Sequence, residues 1–242
     1  MDLKRNPYDE VAKDYDKISL KRARYNDSID QIVVSLLSDY ELLHIFDFGS
    51  GNGKRAKKLS EKLAAANLVL SDSSELMINE CLKIENVVVV KITGTEIPLI
   101  EGKFQGILAL WNVMGHVETS ENRVQVLNAL RLNLAKGGKL IFDVNNRYNG
   151  ASYGYSRCLF RLLVDSVRFN PKRGDVEYSW FVNGQEVKST GHVFTPKEIV
   201  SEINKSGFKV SKKFYVNYET GKVSKWFFKG QMMFSCEEDF GE

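Results

Sequence analysis

A glycine-rich turn between an apolar strand and a helix constrains the fold of this chain more than any other stretch. Residues 45–48 read IFDF, a run typical of a buried strand, and Gly49, Gly51 and Gly53 follow it. From Lys54 onward, apolar residues recur at helical spacing. A strand, a glycine turn and a helix in this order open a nucleotide-binding α/β fold. Glycine suits the turn because it permits positive φ and lets a ligand lie against the backbone.

The glycine spacing distinguishes between kinds of nucleotide site. A dinucleotide fingerprint, G-x-G-x-x-G, would need glycine at Lys54, so an NAD-dependent enzyme is disfavoured. A P-loop, G-x-x-x-x-G-K-[ST], does not fit these glycines either. The sequence has D-x-G-x-G-x-G instead, from Asp47 to Gly53. This pattern resembles motif I of the class I S-adenosylmethionine-dependent methyltransferases.

That resemblance extends from about Tyr8 to Phe234, apart from an insertion, and it implies both a fold and an activity. The implied fold is α/β, with a doubly wound, Rossmann-like, mostly parallel sheet of seven strands in the order 3-2-1-4-5-7-6. The implied cofactor is S-adenosyl-L-methionine. The implied activity is methyl transfer to an O, N or C nucleophile of a small-molecule acceptor.

Composition sets the outer bounds of the prediction. The chain has 242 residues, of which 43% are hydrophobic and 27% charged, and we expect one methyltransferase domain over residues 1–242. No apolar stretch approaches the roughly 20 residues that a membrane span needs, and the N-terminus lacks a signal-peptide core. The three cysteines are far apart, which predicts neither disulfides nor a metal site and is typical of a cytoplasmic protein.

Basic residues are concentrated in the C-terminal part of the chain. Residues 147–230 contain fifteen Lys or Arg and seven Asp or Glu, which is 15 − 7 = +8, whereas the whole chain carries +3. Such an excess could meet an anionic substrate or RNA. The charges are dispersed, which favours an ordinary solvated surface. Two alternatives to a small-molecule methyltransferase are kept. One is a tRNA-modifying methyltransferase, which would use the basic residues to bind RNA, and the other is a non-catalytic S-adenosylmethionine-binding partner protein.

The family resemblance assigns a set of residues to the cofactor. Asp72 follows the predicted second strand (Asn67–Leu70), where the family's acidic side chain accepts both ribose hydroxyls; the alternative is a helix cap in the sequence SDSSE. Asp47 is expected to support the glycine turn through backbone hydrogen bonds. Thr93 stands where the family often has Asp, which puts a carboxylate contact to adenine in doubt. The full predicted set is Tyr15, Asp47, Gly49, Ser50, Gly51, Gly53, Asp72, Ser73, Met77, Thr93, Gly94, Thr95, Trp111, Asn112 and Val113.

The stretch WNVMGHVE after the strand Phe104–Leu110 corresponds to the family's motif IV, beside the transferable methyl group. His116 is the candidate catalytic residue in it, because a neutral imidazole can remove a proton from a nucleophile. The alternative is a loop histidine that hydrogen-bonds the backbone. Many methyl transfers need mainly alignment of the nucleophile with the sulfonium.

Two further segments are predicted to cover the site. The helix predicted over Asn6–Ile18 brings Tyr8 and Tyr15 over the cofactor pocket in similar proteins, or packs them on the core. Residues 148–193 form an inserted substrate cap, with a helix over Ala151–Val164 and a hairpin around Asn183–Gly184. The predicted substrate-binding residues are Tyr8, Asn145, Arg147, Tyr148 and Tyr155, each with a structural alternative.

The last part of the chain returns to the family pattern. Thr195 and Pro196 are typical of a helix start. The strands predicted over Phe208–Tyr215 and Trp226–Phe234 pair as a hairpin across Asn217–Lys225.

Overall fold

A computed structural model describes residues 6–182 and 185–241. Its strands are β1 (His44–Phe48), β2 (Asn67–Asp72), β3 (Val88–Lys91), β4 (Phe104–Ala109), β5 (Leu134–Val144), β6 (Asp175–Val182), β7 (Gln185–His192), β8 (Phe208–Val216), β9 (Val223–Ser224) and β10 (Gln231–Glu238).

The α-helices are α1 (Pro7–Val11), α2 (Tyr15–Leu20), α3 (Ala23–Leu37), α4 (Lys54–Lys62), α5 (Glu75–Cys81), α6 (Ser120–Asn133), α7 (Gly150–Tyr153), α8 (Tyr155–Val167) and α9 (Pro196–Lys205). Short 3-10 helices cover Ala12–Asp14, Val113–His116, Pro171–Gly174 and Phe227–Lys229.

The central sheet of the described residues has eight strands in the order β3-β2-β1-β4-β5-β10-β8-β9. Strands β1 to β5 pair in parallel, and β10 pairs antiparallel with both β5 and β8. This confirms the predicted doubly wound α/β fold and its order, with β8 and β10 as the sixth and seventh strands. The two-residue strand β9 is an additional edge that the sequence pattern did not predict.

Apolar side chains cover both faces of this sheet, as expected for parallel strands between helices. Phe46, Phe142 and Phe234 lie in the cluster on one face, together with Val126 and Leu130 of α6. The other face carries a second cluster, in which Ile45, Leu108 and Ile141 pack against helices α3 and α4. With both faces closed, the edge at the carboxyl ends of β1, β2 and β4 is the place for a ligand.

The insertion contains the predicted helix and hairpin. Gly154, with a φ of +86°, divides the helix predicted over Ala151–Val164 into α7 and α8. Strands β6 and β7 form a separate two-stranded antiparallel sheet, in register from Asp175 opposite His192 to Val182 opposite Gln185. The turn predicted at Asn183–Gly184 lies outside the described residues.

Two predicted elements differ from the structure. The single helix predicted over Asn6–Ile18 is divided into α1, a 3-10 turn and α2, because the backbone departs from α-helical values at Val11 and at Asp14, where φ is −107° and ψ is 7°. The strand predicted over Trp226–Phe234 begins only at Gln231; residues 227–229 form a 3-10 turn instead.

No helix among the described residues is long and apolar enough to cross a membrane. Cys81, Cys158 and Cys236 are buried and unpaired.

Candidate active site

The glycine turn after β1 adopts the left-handed backbone that its sequence predicts. Gly49, Gly51 and Gly53 have φ values of +75°, +58° and +73°. A Cβ atom on Gly51 would lie 2.7 Å from the phenol oxygen of Tyr15, so this glycine lets the ring pack directly on the turn. Gly53 is the N-cap of α4, and a Cβ there would meet the side chain of Leu70 at 2.7 Å. The glycines thus permit both the turn and the close packing around it.

Asp72 ends β2 beside this turn. Its Oδ2 accepts a hydrogen bond from the backbone N–H of Gly51 at 2.9 Å, and its Oδ1 accepts one from Ser74 N–H at 2.8 Å. Burial raises the pKa of Asp72, and the hydrogen bonds from the backbone oppose that rise. The helix cap is Ser74, whose hydroxyl accepts from Met77 N–H, so the carboxylate is not the cap of α5.

Asp47, at the end of β1, differs from its predicted role. Its side chain makes no hydrogen bond to the turn among the described residues, and its buried Oδ1 has no partner. Asp72, rather than Asp47, holds the turn through the backbone. Burial raises the pKa of Asp47 to about 7, and Arg55 works against that rise. The residue also borders a polar recess of about 120 Å³ that includes Gly49, Asn52 and Trp111.

A cavity of about 390 Å³ opens at the carboxyl ends of β1, β2 and β4. This size falls within the range of small-molecule and cofactor sites. It is lined by Tyr8, Tyr15, Phe48, Gly49, Gly51, Ser71, Asp72, Ser73, Ile92, Gly94, Thr95, Leu110, Trp111, Val113, His116, Val117, Glu118 and Asn122. We call it the nucleoside cavity.

The chain leaves β4 in an unusual conformation at the wall of this cavity. Trp111 and Asn112 have φ values of 69° and 62°, a region that costs a non-glycine residue about 1–3 kcal/mol. Hydrogen bonds to β5 hold them there: Trp111 N–H donates to Asp143 Oδ1 at 2.6 Å, and Asn145 N–H donates to Asn112 Oδ1 at 2.8 Å. Tyr25 donates to the other oxygen of Asp143 at 2.7 Å. A buried hydrogen-bond network therefore holds the backbone at Trp111 and Asn112 in this conformation.

His116 lies between two phenols from distant parts of the chain. The hydroxyl of Tyr8 is 2.9 Å from its Nε2, and the hydroxyl of Tyr178 is 3.0 Å from its Nδ1. Burial lowers the pKa of His116 to about 4. The imidazole is neutral at pH 7, and its low pKa makes it a weak base.

A second, smaller cavity of about 170 Å³ lies behind the first. It is lined by Tyr8, Val11, Tyr15, Ile18, Trp111, Asn112, His116, Asn145, Tyr178 and Tyr218. We call it the tyrosine pocket. Its described lining contains no Asp, Glu, Lys or Arg. The two cavities share Tyr8, Tyr15, Trp111 and His116, so these side chains form the common wall between them.

The N-terminal helices cover both cavities and are tied to the sheet edge. Asp9 accepts from the hydroxyl of Ser74, and Asp16 accepts from Asn52 at 2.7 Å. Val11 packs against Val187 of β7 in a small buried cluster, which joins the helices to the hairpin. The site is thus closed by two segments far apart in sequence.

Comparison with known proteins gives a family for part of the chain. Residues 45–138 match the model of a methyltransferase domain family. This match spans the glycine turn, Asp72 and His116. The family assignment therefore covers residues 45–138, and the remainder of the chain lies outside this match. No curated protein sequence matches the chain.

Solved structures share the fold of this chain over nearly its whole length. An S-adenosylmethionine-dependent methyltransferase from Clostridium acetobutylicum is 15% identical with a TM-score of 0.66, over 97% of this chain and 100% of that one. The DhpI–SAM–HEP complex is 16% identical with a TM-score of 0.67, over 95% of this chain and 94% of that one. The complex between the Haloferax volcanii Trm112 methyltransferase activator and a proposed methyltransferase is 10% identical with a TM-score of 0.68, over 98% of this chain and 98% of that one. At these identities the likeness shows the fold.

The structure gathers most of the predicted cofactor residues around the nucleoside cavity. Those that line it are Tyr15, Gly49, Gly51, Asp72, Ser73, Gly94, Thr95, Trp111 and Val113. Ser50 borders the polar recess with Asp47, and Asn112 borders the tyrosine pocket. Gly53, Met77 and Thr93 line neither cavity: Gly53 packs on Leu70, Met77 is fully buried in the core, and Thr93 is exposed at a bridge to Glu96.

Three predicted substrate residues lie away from the tyrosine pocket. The buried guanidinium of Arg147 pairs with Asp165 of α8 at 2.8 Å, and the hydroxyl of Tyr148 donates to the same carboxylate at 3.1 Å. Tyr155 is 56% exposed at the start of α8. Arg147 and Tyr148 therefore join the insertion to the sheet. Tyr8 and Asn145 do line the tyrosine pocket.

Sequence reasoning missed two aromatic residues of the tyrosine pocket. Tyr178 is on β6, inside the predicted cap, and Tyr218 follows β8, where its hydroxyl accepts from Trp111 Nε1–H at 2.8 Å. The alternation of side chains in the hairpin could have indicated one inward-facing set that includes Tyr178. Nothing in the local sequence singles out Tyr218.

Proposed function

We propose that this methyltransferase transfers the methyl group of S-adenosylmethionine to a small-molecule acceptor bound in the tyrosine pocket. The observation that carries this proposal is the wall formed by Tyr8, Tyr15, Trp111 and His116. It separates a cofactor-sized cavity from a smaller one at the sheet edge where α/β folds bind ligands. A donor in one cavity and an acceptor in the other would therefore be neighbours across these side chains.

The residues around the nucleoside cavity fit the cofactor. Backbone N–H groups hold the carboxylate of Asp72 beside the cavity, that of Gly51 at Oδ2 and that of Ser74 at Oδ1, and a further lone pair of the carboxylate can accept a ribose hydroxyl. The unpartnered Oδ1 of Asp47 beside the glycine turn is a ready acceptor for the cofactor's ammonium group. The bound cofactor supplies an electrophilic methyl group on a sulfonium. The DhpI complex, whose name records SAM, supports this use of the fold.

The size and position of the tyrosine pocket support a small acceptor. A dry apolar cavity of roughly 150 Å³ holds a molecule the size of benzene, and the tyrosine pocket measures about 170 Å³. Helices α1 and α2 cover it, so a bulky acceptor would need these helices to move. Its described lining residues include no Lys or Arg that could contact a phosphate.

The tRNA alternative rests on a different part of the surface. The basic residues of 147–230 and the neighbour in complex with the Trm112 activator are the observations that favour it. These basic residues would bind RNA through phosphate contacts, and the affinity for RNA would fall steeply as the salt concentration rises. The buried, unpaired cysteines are consistent with the cytoplasm as its location in either case.

The test is a methyl-transfer screen with methyl-labelled S-adenosylmethionine, run in parallel on small metabolites and on bulk tRNA. We expect label in a small-molecule product and none in tRNA. Label in tRNA alone, lost at high salt, would replace the small-molecule assignment. Binding of the cofactor without label in any acceptor would favour the non-catalytic alternative.

A further inference from the structure

We infer that the tyrosine pocket is built for an amine, so that the methyltransferase is an N-methyltransferase of a small primary, secondary or tertiary amine. This inference rests on the proposed function and specifies its acceptor. Its basis is the number of aromatic rings in the tyrosine pocket, together with the absence of Asp, Glu, Lys and Arg from its described lining.

Aromatic rings form most of the pocket wall. Trp111 and four tyrosines line it, and ring contacts fix their orientation. Tyr15 meets Trp111 edge to face at 5.6 Å between centroids. His116 meets Tyr8 at 5.4 Å and Tyr178 at 5.9 Å, in the same kind of arrangement. Cations are attracted to the negative faces of such rings, and cages of this composition recognise alkylated ammonium groups.

The charges in the described part of the pocket favour a cationic group over an anionic one. No Lys or Arg stands among its described lining residues, so a carboxylate or phosphate would find no counter-ion among them. Arg22 stacks on the ring of Tyr218, 4.2 Å from its centroid, so part of that ring already serves a cation of the protein. Asp143, a carboxylate behind Trp111, is occupied by Tyr25 and the backbone of Trp111. The aromatic rings of the pocket other than Tyr218 therefore provide the attraction for a cationic group.

The reaction of an amine matches this environment. The nitrogen lone pair of the neutral amine forms the new N–C bond as the S–C bond breaks, and the electron pair of that bond stays on sulfur. The positive charge thus moves from sulfur to nitrogen, into the pocket. Aromatic faces stabilise that charge as it develops, which is when stabilisation accelerates a reaction. A proton carried by the product ammonium is then lost to water.

A hydroxyl acceptor would need a stronger base than the one that lines this pocket. It must give up its proton as it attacks, so a base has to stand beside it. The imidazole of His116 is the titratable base of the lining, and both its nitrogens face tyrosine hydroxyls. Burial lowers its pKa to about 4, which makes it a poor base for a hydroxyl. An amine that arrives deprotonated needs no such help.

The side-chain amide of Asn145 gives the pocket a polar group that can bind the acceptor. Its backbone N–H binds Asn112, whereas its side-chain amide makes no hydrogen bond to another described residue. The amide oxygen can accept an N–H of the amine. This would direct the lone pair of a primary or secondary amine toward the shared wall.

The test compares a cation with a neutral molecule of the same shape. Protein saturated with S-adenosylhomocysteine is titrated with choline and with 3,3-dimethylbutan-1-ol, which replaces the ammonium nitrogen by carbon. We expect choline to bind about tenfold more tightly, on the scale of a desolvated cation–π contact. Tyr178→Phe retains the ring and should keep the preference, whereas Tyr178→Leu and Trp111→Leu should reduce it several-fold.

A transfer assay completes the test, with small amines and the alcohols of the same carbon skeleton as acceptors. Label in amines and not in alcohols supports the inference. Equal affinity for the two probes, or methylation of alcohols alone, overturns it while S-adenosylhomocysteine binding leaves the proposed function standing. If S-adenosylhomocysteine itself does not bind, the proposed function fails, and the amine inference fails with it.

Discussion

The carboxylate of Asp72 accepts a hydrogen bond from the backbone N–H of Gly51 at 2.9 Å, which joins the end of β2 to the turn after β1. Two strands that are neighbours in the sheet thus present one combined surface to the nucleoside cavity. The same carboxylate fixes the start of α5 through Ser74 N–H. Asp72 therefore shapes the site and is also available to a ligand.

Replacing this carboxylate should affect both binding and stability. We predict that Asp72→Ala weakens S-adenosylhomocysteine binding by roughly 2–3 kcal/mol, the scale of hydrogen bonds to a charged group. It should also lower the free energy of unfolding, because Gly51 and Ser74 lose their acceptor. Calorimetric titration and urea unfolding measure the two effects.

The matched control is Glu75→Ala, which removes a nearby exposed carboxylate that pairs only with exposed Lys91 among the described residues. It should leave cofactor affinity unchanged. Wild-type affinity in Asp72→Ala would remove Asp72 from the cofactor site.

The pH dependence of transfer should reflect the acceptor rather than His116. Burial lowers the pKa of His116 to about 4, so its imidazole stays neutral from pH 6 to 8 and adds no limb to the rate profile there. We predict that kcat/KM for an amine rises with pH according to the amine's own pKa. Amines of different basicity should move that limb, and His116→Gln should not. A limb near pH 6.5 that disappears in His116→Gln would contradict this account.

His192 should make stability depend on pH. Its Nδ1 lies 2.7 Å from Asp175 and its Nε2 lies 2.9 Å from Glu198, at the junction of the hairpin with α9. Burial lowers the pKa of His192, but the hydrogen bonds to Glu198 and Asp175 outweigh it and raise the pKa above its ordinary value of 6.5. The charged imidazole therefore stabilises the fold fully below pH 6.5, and this contribution is lost as pH rises through the raised value.

The measurement is urea unfolding of the wild type and of His192→Gln at pH 6 and pH 9. The difference in free energy of unfolding should be larger at pH 6. His44→Gln, a histidine change outside this network, is the control. A difference that grows with pH would show that the imidazole is bound in its neutral form.

The hairpin should matter to the acceptor and little to the cofactor. Every residue lining the nucleoside cavity lies between Tyr8 and Asn122, whereas the hairpin gives Tyr178 to the tyrosine pocket. We predict that replacing residues 177–190 by an Asn-Gly turn abolishes transfer and keeps S-adenosylhomocysteine affinity within a few-fold. Strand pairing at Val176 and Gly191 remains to close the shortened hairpin.

Removing the whole insertion would be a poorer experiment. Residues 151–193 include Asp165, the partner of buried Arg147, and Val193, which is itself buried. Their loss would leave a buried charge unpaired, which is strongly destabilising. If the shortened hairpin still supports full turnover, the hairpin is not part of the acceptor site.

Sequence reasoning predicted the parts of the site that depend on local pattern. The turn at Gly49–Gly53 and the strand end at Asp72 lie on consecutive strands, and the order of parallel strands follows from their connections. Tyr218 could not be predicted, because its place beside Trp111 depends on the antiparallel return of β8, 107 residues later. Arg147 was assigned to a substrate, but its partner Asp165 is fixed by the packing of α8, which no local pattern reveals.

Titration of the wild-type protein with S-adenosylhomocysteine tests the central claim most directly. We predict saturable binding at one site per chain by isothermal calorimetry, with a thermal midpoint that rises with ligand concentration. At 100 times the dissociation constant, the added stability should be about 2.7 kcal/mol. NADH at the same concentration should neither bind nor shift the midpoint. Absence of heat and of any shift with S-adenosylhomocysteine, together with a shift with NADH, would contradict the assignment of the nucleoside cavity.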